Sequence, residues 1–425
     1  MKQLLAVLMA AASAGLSAQA PSRPAVPSLV VRDVTLVDGT GAASRGHASL
    51  VIREGRVAEV IDAGQEPPAD LVLDGTGLYA IPGLFDAHVH LSPAAWGGRA
   101  ADLARLLRGG VTSVWDVAGD VRETGDLARA VLAGDIDGPS IEYLSLMAGP
   151  SFFGDPRVLA SSLGFGAGEA PWMRAITPQT DLVTAVAAAR GSGASGLKLY
   201  AALDGDAVRR IGAEAHRQEM RLMAHATVFP AKPADLVAAG VDVLAHAAYL
   251  VWEGSPPTAD FTKRALGDFE HVAVDSPPIE RLLESMRDRG VALNPTLWIF
   301  AEGPGSHDSK AAARIAWQNA VTHRAVELGV RIVAGTDSLL EPHGGLPTLH
   351  DELVQEVVGA GLTPMQALVS ATSSAARAMG VDADRGTLEP GKQADLVLLA
   401  ADPLSDIRNT RRIRYVIKAG RLVSR

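Results

Sequence analysis

Residues 84–118, LFDAHVHLSPAAWGGRAADLARLLRGGVTSVWDVA, hold two short apolar strands with an amphipathic helix between them. LFDAHVHL (84–91) and VTSVWDVA (111–118) have strand length and strand composition, whereas AADLARLLRGG (100–110) repeats its apolar positions at helical spacing and stops at glycine. Strand, helix and strand in that order give parallel strands joined by a helical crossover. The unit recurs. Further strands are expected at 140–146, 196–201, 221–226, 241–247, 291–297 and 331–337, with helices at DAVRRIGAEAHRQ (206–218), IERLLESMRDRG (279–290) and SKAAARIAWQNAVTHRAVELG (309–329). Eight such strands predict an α/β fold, a (β/α)₈ TIM-like barrel over 82–386. A doubly wound sheet is disfavoured because no GxGxxG follows the first strand. Two inserts rich in Gly, Pro, Phe and Trp, 147–177 and 248–278, are expected to lie over the barrel mouth.

The flanks have a different texture. SLVVRDVTLVD (28–38), HASLVIREGRVAEVID (47–62) and DLVLDGTGLYAI (70–81) alternate apolar residues with turn residues, and 394–425 does the same at the other end of the chain. One small β-sandwich domain made from both termini, 29–81 plus 387–425, is the simplest reading. The opening MKQLLAVLMAAASAGLSAQA (1–20) has a cation at Lys2, an apolar stretch and small residues at Ala18 and Ala20, the pattern of a secretory signal peptide cleaved after Ala20. A periplasmic or secreted protein with no membrane association after cleavage is therefore expected, and a homo-oligomer is compatible with it.

Acidic residues outnumber basic ones 48 to 39, which argues against nucleic acid as a partner, and there are no cysteines. Thiolate metal sites, disulfides and a cysteine nucleophile are excluded. Any metal must be held by nitrogen and oxygen, so the 11 histidines matter most. His88 and His90 close the first barrel strand two residues apart, on one side of it. Lys198 lies in the fourth strand, and His225, His246 and Asp337 end the fifth, sixth and eighth. In such barrels the reacting groups sit at the C-terminal strand ends. Buried imidazoles and a buried carboxylate are costly unless they pair with one another or bind an ion, so six such residues together point to a metal site.

IPGLFDAHVHL (81–91) resembles the strand-one signature of the amidohydrolase superfamily, AGTDS (334–338) its strand-eight signature, and GTLEPGKQADLVLLAADPL (386–404) its return to the β domain. Within the superfamily the chain is most similar to the binuclear branch of amide hydrolases and dipeptidases that resemble Xaa-Pro dipeptidases and imidazolonepropionases. The resemblance implies two divalent ions, zinc before manganese or cobalt. His88, His90 and Asp337 would hold the more buried ion and His225 and His246 the more exposed one. Lys198 would bridge them as an Nζ carbamate, since a protonated ammonium is no ligand while a neutral amine takes up CO₂. A bridging lysine separates this branch from single-ion deaminases. The resemblance further implies hydrolysis of an amide, in a dipeptide or N-acyl amino acid, by a metal-bridging hydroxide, with Asp337 carrying the proton to the leaving nitrogen. A lactonase or phosphoesterase on the same centre, or a catalytically inactive binding protein, are the alternatives.

Tyr200, two residues beyond Lys198, either hydrogen-bonds the scissile carbonyl or fills the barrel mouth. Arg99 and Arg174 are candidates for a substrate carboxylate. His343 and His350 follow Asp337 closely, and an exposed loop residue and a helix-start residue are the simpler readings of the two. The other histidines receive no role.

Overall fold

The computed structural model describes residues 26–91, 99–303, 309–338 and 345–423. The expected signal peptide, His343 and the Arg99 side chain lie outside the described residues.

Among the described residues, seven parallel strands run in order around the barrel: Leu84–Val89, Val111–Asp116, Ser140–Ala148, Gly196–Leu199, Arg221–His225, Val243–Ala245 and Ala292–Asn294. The expected eighth strand is not a continuous ladder. Residues 331–337 close the ring through separate backbone contacts: Ile332 bridges Leu293 on one side, and on the other Ala87 N donates to Ala334 O at 3.1 Å and Asp337 N to His88 O at 2.8 Å. The sixth and seventh strands are likewise shorter than expected. Each of these breaks coincides with a non-glycine residue in the left-handed region, His246 (φ 73°), Thr296 (φ 50°) and Asp337 (φ 55°), which ends the pleat and turns the chain outward. Three left-handed residues at one end of a barrel mark where backbone strain has been stored.

The outer helices form for the reasons the periodicity indicates. In Pro277–Arg289 the buried residues Ile279, Leu282, Leu283 and Met286 make one stripe, Pro277 starts the helix and Gly290 ends it in the left-handed conformation (φ 71°). Burying side chains of that size stabilises by roughly 1.5–3 kcal/mol apiece. Among the described residues no helix is long and apolar enough to cross a membrane. The inserts are not plain loops: 147–177 contains the short helices Pro150–Gly154 and Pro156–Ala160 and a small hairpin, and 248–278 contains the 3₁₀ turn Phe261–Leu266.

The terminal sheet has eight strands, five from the N-terminal segment and three from the C-terminal one, wrapped around Leu29, Val31, Leu50, Ile52, Leu396 and Leu398. Its seam is the antiparallel pairing of Leu396–Leu399 with Tyr79–Pro82. Immediately after that seam the chain enters the barrel at Gly83, where a Cβ would stand 2.2 Å from Thr112 Oγ1, so only glycine fits. Partly buried Lys418 ties the two parts together, donating to Asp395 Oδ2 at 2.7 Å and to Ser140 Oγ at 2.8 Å.

His350 belongs to this seam rather than to the barrel mouth. It is fully buried, its Nε2 donates to Gly109 O at 2.9 Å, and its Nδ1 lies 3.0 Å from Thr410 Oγ1. Burial pushes its pKa down from 6.5 to about 4. The unfolded chain therefore takes up this proton below 6.5 and the folded one only near 4. The contribution is complete above pH 6.5 and is lost as the pH falls through 4, a difference of roughly 3 kcal/mol. His350→Gln keeps a donor for Gly109 but cannot titrate. Urea unfolding of both metal-stripped proteins at pH 7 and pH 4 should show a markedly smaller acid loss in the variant; equal losses would rule His350 out as the source.

Candidate metal centre

His88 and His90 leave the first barrel strand on the same side, with ring centroids 5.6 Å apart. Opposite them Asp337 places Oδ1 at 3.0 Å from His90 Nε2 and 3.7 Å from His88 Nε2. The His246 ring lies 5.0 Å from that of His88 and 4.5 Å from that of His225. Lys198 is fully buried, and its Nζ has no hydrogen-bond partner among the described residues. Its charge nevertheless reaches His88, His90, His225 and His246. All six residues singled out in the sequence thus share one cluster. Within it, one donor atom each of His88, His246 and Asp337 lies within 4.8 Å of the other two. That grouping cuts across the division into two ligand sets expected from the resemblance.

The electrostatics follow from crowding in a dry place. Burial, and then the Lys198 charge, hold His88 and His225 well below the usual imidazole range; His246 is lowered by burial and by His225. Burial alone would raise Asp337, but the surrounding His88, His90 and His246 hold it well below the usual carboxylate range. Lys198 is brought down from 10.5 to about 7 by burial, with Asp337 opposing. The outcome is three neutral imidazoles, His88, His225 and His246, a fourth, His90, whose pKa is raised against burial by its hydrogen bond to Asp337, an ionised carboxylate and an amine that readily loses its proton.

Second contacts fix which nitrogen faces inward. Asn294 Nδ2 donates to Val333 O at 2.9 Å, which turns its Oδ1 to His88 Nδ1 at 2.7 Å. Nδ1 must therefore carry the hydrogen, and His88 Nε2 keeps its lone pair for the cluster. The Thr296 hydroxyl donates to Pro295 O at 2.8 Å and accepts from His246 Nδ1 at 2.9 Å, with the same result. His225 Nδ1 meets the Thr227 hydroxyl at 2.8 Å and its backbone N–H at 3.2 Å. The Thr296 turn is itself pinned by buried Glu352, which accepts from Leu297 N at 2.8 Å and Trp298 N at 2.7 Å. Gly335 completes the packing: a Cβ there would come within 2.8 Å of the His88 backbone nitrogen.

Both inserts supply the wall above the cluster. Phe152 stacks on Tyr200 at 4.6 Å between centroids, Phe261 lies 5.6 Å from Tyr200 and 5.4 Å from His225, and Tyr249 stacks on His225 at 5.2 Å. Burial pushes the Tyr200 hydroxyl up to about 12, so it stays a protonated donor. Arg174 is not part of this wall; its guanidinium donates to Glu169 O, at 3.4 Å, in its own hairpin. Sequence reading missed Asn294, Thr296, Phe152, Phe261 and Tyr249, and only the polar Asn294 inside the apolar VALNPTL carried a local signal.

The model of the amidohydrolase family matches residues 79–423. Adenine deaminase 2 of Rhizobium meliloti is 27% identical over 413 residues, which cover 93% of this chain and 57% of that protein, so the chain spans little more than half the length of this relative. A crystal structure of a candidate prolidase from Bifidobacterium longum is similar at 28% identity with a TM-score of 0.72, covering 95% of this chain and 96% of that one. The ochratoxinase of Aspergillus niger, 23% identical with a TM-score of 0.74 over 93% of this chain and 95% of that one, shows the same fold.

Proposed function

The chain belongs to the amidohydrolase family, and we propose that it is an exported, metal-dependent hydrolase of the amide bond in a dipeptide or N-acyl amino acid. The observation that carries the proposal is Lys198. A buried amine without a hydrogen-bond partner among the described residues, surrounded by four histidines and a carboxylate, is a poor structural device. It suits a carbamate ligand. The donor set fits divalent metal: His88 and His246 neutral and oriented through Nδ1, two further imidazoles in His90 and His225, one ionised carboxylate and an amine poised to react with CO₂. We assign His88, His90, Lys198, His225, His246 and Asp337 as the ligands, for two ions with zinc first. Bound metal would supply Lewis acidity, activating water near neutral pH and polarising the scissile carbonyl.

The chain's own residues do the rest. Asp337, ionised beside His90, accepts a proton from the attacking water and can return it to the leaving nitrogen. Tyr200, held neutral, donates a hydrogen bond toward the carbonyl oxygen. Phe152, Phe261 and Tyr249 exclude water from the reacting groups. Export to the periplasm or beyond rests on residues 1–20 alone.

The experiment is metal analysis joined to a substrate panel. Purified protein should contain divalent metal, lose activity with chelator and regain it on reloading. It should also prefer dipeptides and N-acyl amino acids to adenine, lactones and phosphotriesters by kcat/KM. A fully metallated sample that prefers any of the last three, or hydrolyses nothing, would overturn the reading.

A further inference from the structure

The wall above the candidate centre contains an arginine that no acid among the described residues pairs with. Arg264 lies in the turn Phe261–Leu266 with its guanidinium carbon 4.4 Å from the centre of the Phe261 ring. One of its nitrogens donates to Phe261 O at 3.2 Å, and its side chain also reaches the Tyr249 hydroxyl. Its positive charge acts on His225, Tyr200 and Tyr249, three residues lining the cluster. The neighbouring cations are different. Arg157 is paired with Asp155 at 2.7 Å and Lys263 with Asp260 at 3.9 Å. Asp155 feels Arg264 but is occupied by Arg157. A guanidinium has five donors in a rigid fork, and this one uses only part of them on the protein.

We propose that Arg264 binds the free carboxylate of the substrate's leaving amino acid. The aromatic or broad apolar side chain of that residue packs on Phe261 and Tyr200, both of which keep partial exposure. This rests on the amide-hydrolase reading and narrows it: the substrate is an N-acyl aromatic amino acid, or a dipeptide with such a C-terminal residue. A guanidinium already stacked on an aromatic ring is pre-oriented, and a carboxylate meeting it there is desolvated, the condition under which a charge pair contributes strongly to binding. Arg174, one of the two arginines favoured by position in the chain, instead donates to Glu169 O in its own hairpin.

The test compares N-benzoyl-L-phenylalanine with N-benzoyl-2-phenylethylamine, which has the same scissile amide and no carboxylate, on the metal-loaded enzyme and on R264A and R264K. R264A should lose ~100-fold in kcat/KM on the acid, chiefly through KM, and stay within about twofold on the decarboxylated amide, with R264K between. Equal losses on both substrates, or no wild-type preference for the acid, overturn the proposal. Calorimetric binding of 3-phenylpropionate and of 3-phenylpropanol separates this subsite from the reaction. Acid binding that disappears in R264A supports the subsite even if neither amide is hydrolysed, in which case the hydrolytic reading alone fails. Acid binding that survives R264A overturns it.

Discussion

Replacing Lys198 with methionine is expected to remove activity, by ~10³-fold or more in kcat/KM, while leaving the metal-stripped protein at least as stable as the parent. The two halves of that result have separate causes. Methionine fills nearly the volume of the buried lysine stem, so the barrel interior around Leu197 and Leu199 keeps its packing. It also removes a buried amine whose Nζ finds no partner among the described residues. Relieving an unsatisfied buried polar group should stabilise the stripped fold by about 1–3 kcal/mol. Activity falls because no carbamate can form, and the metal content should fall with it. Elemental analysis and urea unfolding with and without metal check both halves. If Lys198→Met keeps full activity, Lys198 is not a ligand. If the stripped variant unfolds more easily, the lysine is a structural residue after all.

How much of this was legible in the sequence depends on what each residue answers to. The alternation of apolar strands with amphipathic helices is a local pattern, and it located the strands Leu84–Val89 and Arg221–His225 with their histidines at the correct end. Strand ends were less legible. VDVLAHA and VALNPTL look apolar to their last residues, yet His246 and Thr296 take left-handed conformations because nearby groups fix them there, Glu352 in the case of Thr296. Nothing in a one-dimensional pattern reports a restraint supplied by a residue 55 positions away. His350 stands at the start of the helix Leu349–Val354, as its position in the sequence indicates, but its burial and its link to Thr410 were not legible, because burial at the seam depends on the C-terminal segment folding back. Arg264 was missed for a related reason. Nothing in the sequence separates it from Arg157, whereas the structure pairs Arg157 with Asp155 and lays Arg264 over the Phe261 ring.

The same logic separates structure from chemistry in the cluster as a whole. Asn294, Thr296 and Glu352 act on nitrogen orientation and backbone shape, so they serve any metal and any substrate. Lys198 and the five other proposed ligands set the reaction class. The aromatic wall and Arg264 are drawn from the inserts, where sequence can change without disturbing the barrel. Family membership therefore speaks to the first two layers, and the choice of substrate must be argued from the third.

Asp337 carries the second large expected effect, and its size should depend on the leaving group. Asp337 is left-handed (φ 55°), a conformation that asparagine tolerates and alanine resists. Asp337→Asn should therefore fold without added backbone strain, while Asp337→Ala should be less stable than Asp337→Asn by about 1 kcal/mol or more. In Asp337→Asn the carboxylate beside His90 is gone and the proton can no longer pass from water to the departing nitrogen. An alkyl amide, whose amine must be protonated to leave, should lose ~10³–10⁴-fold in kcat, near the upper range for general acid–base groups. A p-nitrophenyl ester of the same acyl group departs as a stable anion and needs no proton. Its loss should be at least tenfold smaller on the same argument. Equal losses on amide and ester, at unchanged metal content, would mean that Asp337 orients or activates the water without serving the leaving group. A loss accompanied by missing metal would reduce Asp337 to a ligand only. The comparison must therefore be run on samples of measured metal content, with kcat obtained at saturation for both substrates.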